Sequence, residues 1–168
     1  YNTIIPLSPR LKQVVPSATL ALTQKARELK AQGHDVLALT AGEPDLPPAE
    51  HILEATRKAA TDGRTRYTAV TGIQELREAI CADIKSRDGL HYELNEVIVS
   101  SGAKQALYNA MQALLGPGDE VIITAPYWVS YTDMVRLAGG EPVVVTTSDA
   151  DGFILKPDQL AAAITDRT

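Results

Sequence analysis

The chain has 168 residues, of which 45% are hydrophobic and 22% charged, the proportions of an ordinary folded protein, so a disordered tail, a collagen-like rod and a disulfide scaffold are excluded. Sixteen Lys and Arg stand against 21 Asp and Glu, for a net charge of -5, which leaves little basic surface for neutralising nucleic-acid phosphates. No apolar run approaches the ~20 residues that cross a bilayer, so neither nucleic acid nor membrane is expected as a partner.

Length alone corresponds to one domain, at ~150 residues each. The single Cys81 cannot close an internal disulfide, which fits a reducing, cytoplasmic compartment. The chain opens on Tyr1 and carries no secretory apolar segment, so Tyr1 is not expected to be the translation start.

Taken in chain order, the apolar period alternates between helical and extended. Segment 17–32 reads as a helix: Ser17 can cap it, Leu22, Ala26 and Leu29 share a face, and Gly33 stops it. Val36 to Leu39 is a short apolar run and reads as a strand. The segment Ala41-Gly42-Glu43-Pro44-Asp45 breaks it, and Pro47-Pro48 lead into a helix ending at Gly63. Gly72 opens a third helix with Ile73, Leu76, Ile80 and Ile84 on one face, and Gly89 ends it.

A regular alternation follows. Val97–Val99 reads as a strand, Ala103–Leu115 as a helix, and Gly116-Pro117-Gly118-Asp119 as a turn. Val121–Ile123 is a strand, Val129–Ala138 a helix, Gly139-Gly140 a turn, and Val143–Val145 a strand. After a turn at Asp149–Gly152, Pro157 starts a last helix to about Ile164. Continuous β-branched runs separated by helices indicate an α/β protein with a parallel sheet buried on both faces. Three strands make a thin sheet, so the chain is expected to be the front part of a larger protein.

Four segments could carry chemistry. Ser101-Gly102-Ala103-Lys104 follows an expected strand and opens a helix. Such an N-terminus offers free N–H groups and a positive dipole end to a phosphate. The small residues allow close approach, Ser101 adds a hydroxyl and Lys104 a cation. The plain alternative is a strand-to-helix turn capped by Ser101. Ser101-x-x-Lys104 also matches the S-x-x-K of penicillin-binding serine acylases, without that family's S-D-N and K-T-G. Ala125-Pro126-Tyr127-Trp128 holds the only Trp of the chain. At the carboxyl end of a strand its indole could stack on a flat cofactor, or it could serve as a core or interface residue.

Gly42 sits in a turn that either exposes backbone to a ligand or merely bends the chain. Tyr67, ahead of Gly72, could bring its hydroxyl to a phosphate or pack with the hydroxyl in water. His34, His51 and His91 are dispersed without metal-ligand spacing and read as surface residues. Cys81 lies near an apolar helical face and reads as core rather than nucleophile.

In this order, Ala41-Gly42-Glu43-Pro44-Asp45, Tyr67 with Gly72-Ile73 and Leu76-Arg77, Ser101-Gly102-Ala103-Lys104-Gln105, Gly116-Pro117-Gly118-Asp119-Glu120-Val121 and Pro126-Tyr127-Trp128-Val129-Ser130-Tyr131 resemble the class I, fold-type I pyridoxal-phosphate-dependent aminotransferases. The likeness is greatest to bacterial-type aspartate aminotransferases and runs from about Leu7 to Thr168. The resemblance implies an N-terminal arm and small-domain segment over 1–45, then the first part of the large, mostly parallel-sheet domain over 46–168.

It also implies residue roles. Ser101, Gly102 and Ala103 would hold the phosphate of pyridoxal 5'-phosphate, and Trp128 would stack on its ring and border the substrate. Gly42 would offer its N–H to the substrate α-carboxylate. Lys104 would lie near the substrate's distal carboxylate. Tyr67 would reach the phosphate in the neighbouring subunit's site, making the active unit a homodimer with shared sites. The substrates would be an acidic amino acid and a 2-oxo acid.

In this family the Schiff-base lysine, the Asp paired with the pyridinium nitrogen, the Asn and Tyr at the phenolic oxygen and the carboxylate-binding Arg all lie downstream of the segment matched here. The chain alone is therefore expected to be inactive, and no catalytic residue is assigned within it. Lys104 is not the Schiff-base lysine. Relatives that accept prephenate carry a basic residue just before Pro-Ser-Ala-Thr, where this chain has Val15. A lyase or synthase on the same fold, and an aminotransferase-like effector domain of a transcriptional regulator, are the alternative readings.

Overall fold

The computed structural model describes residues 6–40, 42 and 44–168. Six α-helices and two β-strands follow one another along the chain: α1 Ala18–Ala31, α2 Glu50–Thr61, α3 Gln74–Asp88, α4 Ala103–Leu114, β1 Glu120–Ala125, α5 Ser130–Ala138, β2 Glu141–Thr146 and α6 Pro157–Ala163, all among the described residues. The chain divides into two units: residues up to 41 together with 107–168, and residues 42–106.

In the first unit, β1 and β2 pair in parallel, with Ile122 opposite Val143 and Ile123 opposite Val144. Parallel neighbours need a crossover, and α5 supplies it. The ladder is extended beyond the strands by Glu141 N–H to Asp119 O at 2.8 Å and by Thr147 N–H to Ala125 O at 3.0 Å. The buried residues Ile123, Met134, Val135 and Ala138 lie on β1 and α5, and Val135 is completely buried. Gly140 joins α5 to β2 where space is short. A Cβ there would meet Asp119 O at 3.2 Å, Leu115 Cδ1 at 3.2 Å and Val135 Cγ1 at 3.3 Å.

The start of the chain belongs to the same unit. Ser17 caps α1 by accepting from Leu20 N–H at 3.4 Å, as its position ahead of the apolar period predicts. Ala26 is the buried residue of α1. The 3₁₀ turn Pro9–Gln13 packs against α5. Thr23 Oγ1 and Thr40 Oγ1 are hydrogen-bonded at 3.1 Å, fixing the segment after α1 to the helix. Glu120 at the head of β1 is held to the end of the chain: its N–H donates to Arg167 O at 2.8 Å, and its carboxylate accepts from Thr165 Oγ1 at 2.6 Å and from the Arg167 guanidinium.

The second unit contains α2, α3 and the start of α4, and none of its described residues is buried. Its helices end as the sequence predicts, with Gly89 in the left-handed region closing α3. Helix α3 begins at Gln74, two residues after Gly72.

Two expected strands are corrected. Val36–Leu39 and Val97–Val99 are not in strands. The reason is that a strand exists only with a neighbour to bond to. Val99 N–H instead donates to Thr71 O at 3.0 Å, a single tie rather than a ladder. The sheet of the described residues accordingly has two strands rather than three.

Candidate functional site

In residues 42–106, the Ser101 turn is built from its backbone outward. Gly102 has φ +84, in the left-handed region, and its N–H donates to Ser100 O at 2.8 Å. Its carbonyl accepts from Ala106 N–H at 3.2 Å, so Gly102, not Ser101, stands at the cap of α4. The Ser101 N–H donates to the Gln105 side chain, which reaches back over the first turn. Among the described residues no hydrogen bond engages the Ser101 hydroxyl, and Ser101, Gly102, Ala103 and Lys104 are exposed.

Helix α4 has 12 residues, so its first turn presents N–H groups and the positive end of a developed dipole. A Cβ built on Gly102 would meet nothing within 4 Å. The space above the turn is therefore open, while its φ is one that L side chains adopt with strain. The chain has no carboxylate from Val97 to Gly118, and Lys104 supplies a cation in the first turn. Donors, hydroxyl, cation and open space fit a phosphate group.

Tyr67 lies in the coil between α2 and α3, and its side chain is fully exposed. It does not pack on its own unit, and its hydroxyl is available to a group outside it. Gly42 is exposed, with nothing within 4 Å of a Cβ position. Its neighbours Ala41 and Glu43, which the motif also includes, lie outside the described residues.

Trp128 belongs to the other unit. Strand β1 ends at Ala125, the Ala125–Pro126 peptide is cis, and Tyr127-Trp128-Val129 lead into α5. Trp128 is 50% exposed. Its carbonyl accepts from Tyr131 N–H at 3.0 Å and starts the helix turn. Beside it the same unit has an apolar hollow of about 380 Å³, walled by Leu107, Met111, β1, Pro126, Tyr127 and Tyr131. The hollow has no single-sequence signal, because its walls come from separate elements.

The remaining candidates stay outside this chemistry. His34, His51 and His91 are exposed, and His91 Nε2 lies 3.1 Å from Glu93 Oε1. Cys81 is half-buried on α3.

Comparison with known proteins gives a consistent picture. The family model described as aminotransferase class I and II matches residues 34–168. An aspartate/prephenate aminotransferase of Cereibacter sphaeroides is 56% identical over 162 residues, 96% of this chain and 40% of the relative. An aspartate aminotransferase of Geobacillus stearothermophilus is 52% identical over 96% of this chain and 41% of its own length. Among solved structures, the aspartate aminotransferase of Thermus thermophilus with maleate superposes with a TM-score of 0.92 at 50% identity, over 98% of this chain and 43% of that one. The chain thus spans about two-fifths of the length of these relatives.

Proposed function

The chain belongs to the aminotransferase class I and II family, and on that premise we propose that the whole protein moves an amino group between an acidic amino acid and a 2-oxo acid with pyridoxal 5'-phosphate as cofactor. The observation that carries the reading is the Ser101–Ala103 turn: a left-handed Gly102 with open space above it, at the N-terminus of a 12-residue helix. When bound, the cofactor supplies an extended π-system that accepts the electrons of a Cα carbanion.

The roles of this chain's residues are to hold, orient and select. Backbone N–H groups of the α4 first turn and the Ser101 hydroxyl would hold the phosphate. Trp128, half exposed on its loop, would lie against the ring face. The Gly42 N–H would orient the substrate α-carboxylate, and Lys104 would attract its distal carboxylate. Tyr67, fully exposed, would extend to the phosphate in a second copy's site, which makes the active unit a homodimer. In the whole protein, residues 1–45 would form the arm and part of the small domain, and 46–168 the first part of the large domain. No helix of the described residues is long and apolar enough to cross a membrane, and a cytoplasmic location is part of the proposal.

Preference for dicarboxylic substrates is supported by the relatives' names and by the Thermus thermophilus structure, which was solved with maleate, a dicarboxylate. Prephenate is named for the Cereibacter relative. Val15 places an uncharged side chain before Pro16-Ser17, so prephenate should be a poorer acceptor than 2-oxoglutarate when both are assayed on the whole protein.

The deciding experiment is cofactor retention. Gly102→Val puts a β-branched side chain at φ +84 and into the phosphate space, so pyridoxal phosphate should bind at least ~100-fold more weakly. Unchanged retention in a folded Gly102→Val protein would sink the assignment.

A further inference from the structure

Segment 94–100, which leads into the Ser101 turn, has no ladder among the described residues. Two ties from the region of α3 hold that segment instead. At its far end, Val99 N–H donates to Thr71 O at 3.0 Å. Beside that bond, Gly72 at φ +97 approaches Val99 so closely that a Cβ on it would stand 2.7 Å from Val99 Cγ2 and 2.8 Å from Val99 Cβ. At its near end, Arg77 Nη1 donates to Leu94 O at 2.9 Å.

Among the described residues, the Arg77 Nε is buried with no hydrogen-bond partner. A buried unsatisfied donor costs stability and calls for an explanation. Holding the Leu94 carbonyl supplies one. The segment between the two ties leads straight into Ser101-Gly102-Ala103, so its placement sets where the turn's donors point. Donor arrays of this kind lose much of their effect when displaced by an ångström.

We propose that Gly72 and Arg77 are positioning residues for the phosphate-holding turn, acting through Val99 and Leu94 and touching neither cofactor nor substrate. The proposal rests on the reading of Ser101–Ala103 as the phosphate site. It makes the phosphate group, rather than the ring of the cofactor, the part whose binding depends on them.

The test compares pyridoxal phosphate with pyridoxal, which lacks the phosphate, by fluorescence titration of the whole protein. The ratio of the two dissociation constants measures what the phosphate contributes. In Gly72→Ala the ratio should fall ~10- to 100-fold, with pyridoxal itself nearly unaffected. Adding Val99→Ala removes the Cγ2 overlap and should restore part of the ratio. Arg77→Met should lower the ratio as well, and Arg77→Lys, which keeps a donor toward Leu94 O, should lower it less.

A merely structural role would weaken both ligands alike, or lower only the melting temperature, and either result overturns the proposal. If Gly72→Ala does not fold, the Arg77→Met and Arg77→Lys pair decides by the same ratio. Gly102→Val separates the two layers. A ratio that it leaves unchanged overturns the phosphate site and this proposal together. A ratio that it collapses while Gly72→Ala and Arg77→Met leave theirs intact overturns the positioning role alone.

Discussion

The βαβ unit of β1, α5 and β2 and the stretch 42–106 are built on opposite principles. The first buries its apolar side chains: Ile123, Met134, Val135 and Ala138 meet between strand and helix. The second has helices of comparable length, but none of its described residues is buried. Among its described ties are the Gly102 turn, the Thr71–Val99 backbone hydrogen bond and the bond from the Arg77 side chain to Leu94 O. Most of the candidate ligand contacts, Gly42, Tyr67 and Ser101 to Lys104, lie in that second stretch. Groups that must face a ligand cannot also be buried in a core, so their placement depends on discrete ties that single substitutions can cut.

The largest test of this contrast removes everything but the two units. The 168-residue chain alone should show no aspartate–2-oxoglutarate exchange, since the roles proposed for its residues are to hold and orient, and none is assigned as the base. Measurable turnover by the isolated chain would show that the chemistry resides in it. Hydrogen exchange probes the contrast directly. Amides of β1 and α5 should exchange on the order of 100-fold more slowly than those of 94–102, and equal rates would show that burial does not separate the two regions.

Lys104→Ala bears on what the exposed stretch selects. A charge-assisted bond to a distal carboxylate is worth about 1.5–3 kcal/mol, so kcat/KM for aspartate should fall ~10- to 150-fold in the whole protein. An apolar amino donor should lose much less. Equal losses would assign Lys104 to the phosphate or to the fold. In the buried unit, Val135→Ala should cost about 1–3 kcal/mol of unfolding free energy while leaving the pyridoxal phosphate to pyridoxal ratio unchanged. A changed ratio would couple that core to the turn.

The smallest effect concerns the clasp at the head of β1. The hydrogen bond from Thr165 holds the Glu120 carboxyl below its ordinary range; partial desolvation opposes this, and the Arg167 guanidinium adds to the lowering. A lowered folded-state value means that the clasp stabilises the protein above the ordinary carboxylate range and is lost as the pH falls through the lowered value. Glu120→Gln should therefore lower stability slightly at neutral pH, where the ionised clasp is intact, change little at acid pH, and so flatten the acid limb of the stability profile. An unaltered acid limb would show that the clasp carries no pH-dependent stability.

Helix boundaries were legible in the sequence because their signals are local. Ser17 ahead of an apolar period and Gly89 after one act on their own turn of backbone, and the runs Val121–Ile123 and Val143–Val145 match the strands found. The candidate ligand-facing segments were legible as small, polar turns in a family-like order. Tertiary structure decided the rest. Val97–Val99 is as β-branched as those strands, yet pairing is a property of two segments, and among the described residues the Val99 N–H bonds to Thr71 O. Ser101 looked like the helix cap, but the Gly102 carbonyl takes that place once its φ turns positive. The approach of Gly72 to Val99 joins residues 27 positions apart, and Arg77 reaches 17 positions to Leu94. Local chemistry sets what each turn can do, whereas contacts between distant residues set where it stands, because no residue's type encodes the neighbour that folding brings to it.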